Sequence, residues 1–314
     1  MPLDPIVKAF LDQLAGTPGP KMWEMSPPEG REAFRALMQF VGPKDVPIGK
    51  VENRKIPGPG GEIPIRIYSP IAAGSDALPA FVFFHGGGFV IGDLDTHDGL
   101  CRMLADDAGC RVIAVDYRLA PENKFPAAVD DAFAATSWVE ANASELGVDA
   151  NCIAVGGDSA GGMLSAVVCQ MAKEKGKPKL CFQLLLFPGT HLDAKTASRQ
   201  ENREGYFLEG ETLDWFFAHY VGSEADMSDA RASPLLAKDF TGLPPAFVMV
   251  AGFDPLHDEG VEYANKLKAA GVTVTLADYP DLVHTFIYLQ TVLPQAREAM
   301  KAAAGALKTA FAAG

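Results

Sequence analysis

The stretch CIAVGGDSAGGMLSAVVCQMAKEK, running from Cys152 to Lys175, decides the fold. Its first residues are apolar enough for a buried strand, and its tail carries helical periodicity. Between the two, Gly157-Asp158-Ser159-Ala160-Gly161 matches G-x-S-x-G. A serine held on a sharp strand-to-helix turn needs glycine on both sides. A side chain there would collide with neighbouring backbone, and the turn itself favours residues that tolerate unusual φ/ψ. The five-residue pattern alone is only suggestive. Its seat between an apolar strand and a helix marks it as a nucleophile elbow.

Outward from this elbow the chain alternates. Short β-branched and aromatic runs at 63–68, 80–84, 111–116, 152–156, 181–187, 246–251 and 272–279 read as strands. Helical periodicity fills 96–108, 127–145, 161–175, 258–270 and 293–311. Several strands (FVFF, VIAV, QLLLF, FVMV) are apolar throughout, as expected where helices cover both faces of a parallel sheet. Pro57-Gly58-Pro59-Gly60-Gly61 reads as a turn that opens the sheet through an antiparallel hairpin. The expectation is an α/β protein with a mostly parallel central sheet flanked by helices.

Two segments break the rhythm. Residues 1–48 hold amphipathic helices at 5–14 and 30–40 and no strand; residues 190–235 hold a polar loop and a helix at 211–221 with Trp215, Phe216, Phe217 and Tyr220. Either the two form a helical cap over a catalytic domain of 49–189 and 236–314, or they pad the edge of the sheet. The cap is the more economical reading.

Composition excludes several classes. With 314 residues, 27 Lys+Arg against 40 Asp+Glu and a net charge of −13, the chain repels phosphate backbones and anionic leaflets. Nucleic-acid and membrane-surface partners are therefore not expected. No apolar run approaches the ~20 residues of a membrane span, and the N-terminal stretch lacks the pattern of a signal peptide. The five cysteines, odd in number and without a C-x-x-C pair, read as reduced core thiols of a cytoplasmic protein, with no metal site.

His85-Gly86-Gly87-Gly88 follows the strand AFVFF. A glycine run leaves backbone N–H groups unshielded and free to meet a developing oxyanion. No phosphate-loop pattern accompanies it, which argues against nucleotide binding. A serine nucleophile needs a base, and the base needs an acid that holds its tautomer. Of six histidines, His85 belongs to the glycine loop, His97 and His219 fall on helices, His191 starts the polar insert and His257 starts a helix. His284 follows the last strand, at the carboxyl edge that also carries Ser159. Asp254, in Gly252-Phe253-Asp254-Pro255, ends another strand at the same edge. Asp258 and Glu259 read as first-turn residues favoured by the helix dipole. The order Ser159, Asp254, His284 is the one found in α/β-hydrolases.

FHGGGFVIGDLDTHD, VDYRLAPENKFPAAVDD, GGDSAGG, AGFDPLHDEG and the closing His284 together resemble the hormone-sensitive-lipase-like (family IV) bacterial esterases of the GDSAGG type, over residues 50–314. The resemblance implies an α/β-hydrolase fold with a helical cap. It implies Ser159 as nucleophile, Asp254 as acid and His284 as base. Gly87, Gly88 and Ala160 are its oxyanion donors. It further implies hydrolysis of small-molecule esters with short to medium acyl chains, no cofactor, and a homodimer joined at the edge of the sheet. Thr285 departs from the pattern, since many relatives carry glycine there; a tighter loop with an intact base is expected.

Asp158 beside the serine reads as structural, its side chain turned away from the nucleophile. Asp116, Tyr117, Arg118 and Glu122 are expected to support the glycine loop through hydrogen bonds. Trp23, Met25, Phe40, Phe89, Phe207, Phe216 and Phe217 are candidates for the substrate pocket, although aromatics at helical spacing are more often core. Two rivals use the same fold: a ligand receptor with a decayed site, which loss of the serine or histidine would mark, and a lyase that reuses the triad.

Overall fold

A computed structural model, which describes residues 1–74 and 76–313, arranges eight strands in one sheet in the order β1-β2-β4-β3-β5-β6-β7-β8. These are β1 (Lys50–Gly58), β2 (Gly61–Ser69), β3 (Leu78–Phe84), β4 (Arg111–Val115), β5 (Val148–Asp158), β6 (Phe182–Leu186), β7 (Ala246–Phe253) and β8 (Val274–Val283). The hairpin β1–β2 and the pair β2–β4 are antiparallel; every other neighbouring pair is parallel. The expected α/β-hydrolase architecture holds.

Period-two alternation explains why the apolar strands are apolar on both faces. In β3, Val82 and Phe84 enter one core cluster while Phe81 and Phe83 enter the other. The first cluster receives α4 (Ala127–Ala141), α5 (Ala143–Leu146), α6 (Ala160–Lys175) and α9 (His257–Ala269). The second receives α3 (Asp98–Ala108) and α10 (Pro294–Ala313).

The two segments that broke the rhythm supply the other helices. Residues 1–48 carry α1 (Pro5–Ala15) and α2 (Pro27–Val41), and their Val7, Met38 and Val41 join the second cluster. The insert carries α7 (Ala197–Glu201) and α8 (Gly210–Tyr220), and its Leu208, Leu213, Phe216 and Tyr220 join the first. Among the described residues no helix is long and apolar enough to cross a membrane, and all five cysteines are free.

Two strands differ from the expectation. β1 is the first arm of the expected hairpin, but no apolar run marks its extent: only Ile56 of its nine residues is buried. β8 runs through Pro280 to Val283, where the strand is expected to end at Tyr279 and a loop to lead to His284. Pro280 lies on an edge strand where the β7–β8 register shifts, a bulge that tolerates the missing N–H.

Candidate active site

Ser159 sits between β5 and α6 at φ +54, ψ −116, an unusual conformation for a residue with a side chain. Its flanking glycines are dictated by space. A Cβ on Gly157 or on Gly161 would overlap the carbonyl oxygen of Phe84. The turn therefore exposes the Ser159 hydroxyl at the carboxyl edge of the sheet. His284, the residue after β8, places Nε2 3.0 Å from Ser159 Oγ and Nδ1 2.6 Å from Asp254 Oδ2. Asp254 follows β7, and its other oxygen accepts the Leu256 N–H at 2.8 Å. His284 and Asp254 are both buried. A carboxylate on Nδ1 holds that proton and turns the Nε2 lone pair toward the hydroxyl. Such a relay can draw the proton from Oγ as the oxygen attacks an electrophile.

The glycine loop lies against the elbow. Among the described residues, the N–H groups of Gly87, Gly88 and Ala160 have no partner in the chain. Gly88 sits at φ +58, and a Cβ there would overlap the ring of Phe216. Gly86 N–H donates to Asp158 Oδ1 at 3.0 Å. Asp158 also accepts the Tyr288 hydroxyl at 3.0 Å and lies 3.3 Å from His97 Nε2. Burial pushes the Asp158 carboxyl up, but His97 and the Tyr288 hydroxyl outweigh it and hold it below the usual carboxylate range. Asp158 thus fastens the loop from below. Tyr117 stacks on His85 at 4.3 Å and donates to its carbonyl at 2.7 Å. Burial, then the neighbouring His97, depresses His85 to about 4, so its ring is neutral at pH 7.

The expected support network needs correction at two positions. Tyr117 touches the loop directly, and Glu122 acts through Arg31, which also donates to the carbonyls of Val90 and Ala120. Arg118 instead pairs with Asp131 at the start of α4. The Asp116 side chain makes no hydrogen bond among the described residues. Its burial, with Asp93 and Asp95 nearby, pushes its carboxyl up to about 6.

Two cavities meet at Ser159. One of about 180 Å³ also touches His284, Thr285, Met22, Phe34 and Phe207. The other, about 30 Å³, touches Phe89, Ala160 and Met163. Phe216 and Leu208 border both. The structure therefore brings Phe89, Phe207, Phe216 and Phe217 to the site but not Trp23, Met25 or Phe40. Phe40 is 67% exposed, on the outer face of α2. Trp23 lies under Lys21 Nζ at 5.5 Å, while its neighbour Met22 reaches the cavity. Periodicity marks which residues are apolar, whereas the rotation of a short helix decides which of them face inward.

The alpha/beta hydrolase fold family matches residues 81–288, two thirds of the chain. The chain belongs to this family. A carboxylic ester hydrolase (LipN) of Mycobacterium tuberculosis is 50% identical over 265 residues, covering 82% of this chain and 70% of that protein. An ethyl acetate hydrolase of Pseudomonas putida is 39% identical over 313 residues, covering 96% of each. A solved alpha/beta hydrolase enzyme from the metagenome of Lake Arreo superimposes with a TM-score of 0.95 at 42% identity, over 99% of each chain. These relatives agree with the resemblance to family IV esterases drawn from the motifs.

Sequence reasoning missed how the insert grips the acid turn. Asn202 donates to the carbonyls of Gly252 and Asp254 at 3.0 and 3.2 Å, and Ser198 Oγ donates to the Pro255 carbonyl at 2.9 Å. Asp258 accepts the Ser198 N–H at 2.9 Å. Glu259 does lie in the first turn of α9 as expected, but it is wholly buried. It accepts from Thr190 N–H at 2.8 Å and pairs with Arg199 at 2.7 Å. No local pattern announces these contacts, because each joins residues some 50 to 70 positions apart.

Proposed function

We propose that this protein is a serine esterase for short- to medium-chain acyl esters, acting through an acyl-enzyme intermediate. It is a carboxylic ester hydrolase. The observation that carries the finer reading is the continuous relay from Asp254 Oδ2 through His284 to Ser159 Oγ, at 2.6 and 3.0 Å.

In the proposed cycle His284 takes the Ser159 proton as Oγ attacks the ester carbonyl. The N–H groups of Gly87, Gly88 and Ala160 hold the oxyanion. Each such donor is typically worth about 3–4 kcal/mol. His284 then returns the proton to the leaving alcohol, and water repeats the sequence on the acyl-enzyme. Every proton is held by a residue of this chain. Residues 1–48 and 190–235 act as the roof: Met22 and Phe34 from one and Phe207 and Phe216 from the other close the larger cavity. The smaller cavity of about 30 Å³ beside Ser159, also bordered by Phe216, favours short acyl chains, and one relative is named for ethyl acetate. A homodimer in the cytoplasm completes the reading, the location supported by the free thiols and the dimer by the resemblance to family IV esterases.

The test is a panel of p-nitrophenyl esters from acetyl to palmitoyl, with phosphonate labelling alongside. Activity should peak at short to medium chains and fall steeply beyond, and the label should sit on Ser159 alone. Label on another residue, or full activity of Ser159→Ala, would overturn the reading.

A further inference from the structure

The two cavities at Ser159 have unequal chemistry. In the proposed reaction the leaving alcohol takes its proton from His284 Nε2, so the alcohol occupies the 180 Å³ cavity, which His284 lines. The acyl chain then enters the 30 Å³ cavity, which His284 does not touch. That smaller cavity is apolar along its length except for one charged residue, Arg199. Leu192, Leu213, Phe217 and Arg199 form its far wall, for the same four residues also border a chamber of about 500 Å³ inside the insert.

The guanidinium of Arg199 is only partly used. Nε and Nη2 donate to Glu259 Oε2 at 3.0 and 2.7 Å, and Nη2 also donates to the His191 carbonyl at 3.1 Å. The Phe217 ring covers it at 5.5 Å. Nη1 has no hydrogen-bond partner among the described residues, although the side chain is only 12% exposed. Buried Glu259 and the stacked ring fix the plane of the group, so Nη1 keeps two N–H bonds free in a residue that borders both the smaller cavity and the chamber beyond it. A donor held in one orientation and open to water is a recognition element for an acceptor that enters with the substrate and displaces that water.

We propose that Arg199 determines specificity by donating from Nη1 to an oxygen carried on the acyl chain. The preferred substrates are then short acyl esters bearing an ether, oxo or hydroxyl oxygen beyond the reacting carbonyl. A neutral oxygen fits better than a carboxylate, because Glu259 already balances the charge of Arg199 and the rest of the wall offers no compensating cation. This proposal rests on the esterase reading above.

The test compares isosteric pairs: p-nitrophenyl butanoate against methoxyacetate, and pentanoate against 3-methoxypropanoate. Each kcat/KM is divided by the hydroxide-catalysed rate constant of the same ester, which removes the inductive effect of the oxygen. The wild type should favour the oxygen-bearing member of at least one pair by about tenfold, as for a hydrogen bond from a charged donor. In the double variant Arg199→Met/Glu259→Gln, which strands no buried charge, the ratio should fall to about one. If that variant does not fold, Arg199→Lys keeps an ion pair to Glu259 without the free arm, and should lose the preference equally. A wild-type ratio near one, or a ratio unchanged by both variants, would overturn the proposal and leave the esterase reading standing. Absence of butanoate hydrolysis together with an unlabelled Ser159 would overturn both.

Discussion

Beneath Ser159 the residues are glycines and buried polar groups whose identities follow from backbone geometry. Above it they are helix-borne aromatics whose identities follow from volume. On the floor, Gly157 and Gly161 exist because any Cβ would strike the Phe84 carbonyl, and Asp158 because Gly86 N–H needs a fixed acceptor. In the roof, Phe34, Phe207 and Phe216 fill space that another apolar residue of similar bulk would also fill. The floor should therefore fail in all-or-none fashion under substitution, while the roof should retune.

Two neighbouring carboxylates separate these behaviours most sharply. Asp254 belongs to the floor, bonded to His284; Asp258 holds the roof, accepting the Ser198 N–H of α7. Asp254→Asn should lower kcat by about 10⁴, as an amide imposes the wrong tautomer on the base. Asp258→Asn should cost less than about tenfold in kcat, since its loss loosens one hydrogen bond of the insert. Steady-state rates on a short-chain ester, with circular dichroism to verify folding, decide it. Comparable losses would mean that the roof contact is part of the catalytic alignment.

A second contrast lies within the roof. Phe216 borders both cavities, whereas Phe40 is exposed. Phe216→Ala should join the cavities, raise the octanoyl-to-butanoyl ratio of kcat/KM about tenfold and destabilise the fold by about 3–5 kcal/mol. Phe40→Ala should leave both the chain-length profile and the melting temperature nearly unchanged. An unaltered profile for Phe216→Ala would remove the roof from substrate selection.

The same division explains what was legible in the sequence. The floor could be read residue by residue, because a sharp elbow or a bare donor loop admits so few residue types that Ser159, Gly87 and Gly88 declare themselves. The order of Asp254 and His284 followed from strand ends. The roof could be read only as helical: Phe34 and Phe40 lie on one expected helix, and one meets the cavity while the other faces water. Arg199, Asn202 and Glu259 were illegible, because their burial depends on partners brought together by the whole fold. The extent of β1, the first arm of the hairpin turned at 57–61, was illegible for the opposite reason, since an exposed edge strand has no need of apolar residues.

Asp116 tests whether the floor extends toward the hairpin. Burial first, then Asp93 and Asp95, raises its carboxyl to about 6 from an ordinary value near 3.8. A raised carboxyl binds its proton more tightly when folded, so ionised Asp116 costs stability above pH ~6, and the cost fades as pH falls toward ~4. Asp116→Asn should therefore melt a few degrees higher than wild type at pH 8, with the difference vanishing near pH 4. Melting curves at both pH values check this. A variant less stable at pH 8 would show that the charge is used by Arg66 or Arg35, both of which favour it.

The smallest effect is expected at the seam between the regions. Thr285 follows His284 and lies at φ +60, ψ +20, in the left-handed region that a β-branched residue enters only with strain. Strain of this kind costs of order 1–3 kcal/mol, while glycine gives back about 0.5–1 kcal/mol through the greater freedom of the unfolded chain. Thr285→Gly should then raise stability by between zero and about 2.5 kcal/mol. Because the hydrogen bonds of His284 come from its own ring to Ser159 and Asp254, kcat should stay within about twofold. Chemical denaturation and short-chain ester kinetics measure the two effects separately. A stability gain with unchanged kcat assigns Thr285 to the roof, where it lines the larger cavity. A large fall in kcat would assign it to the floor, as the residue that holds the base in place.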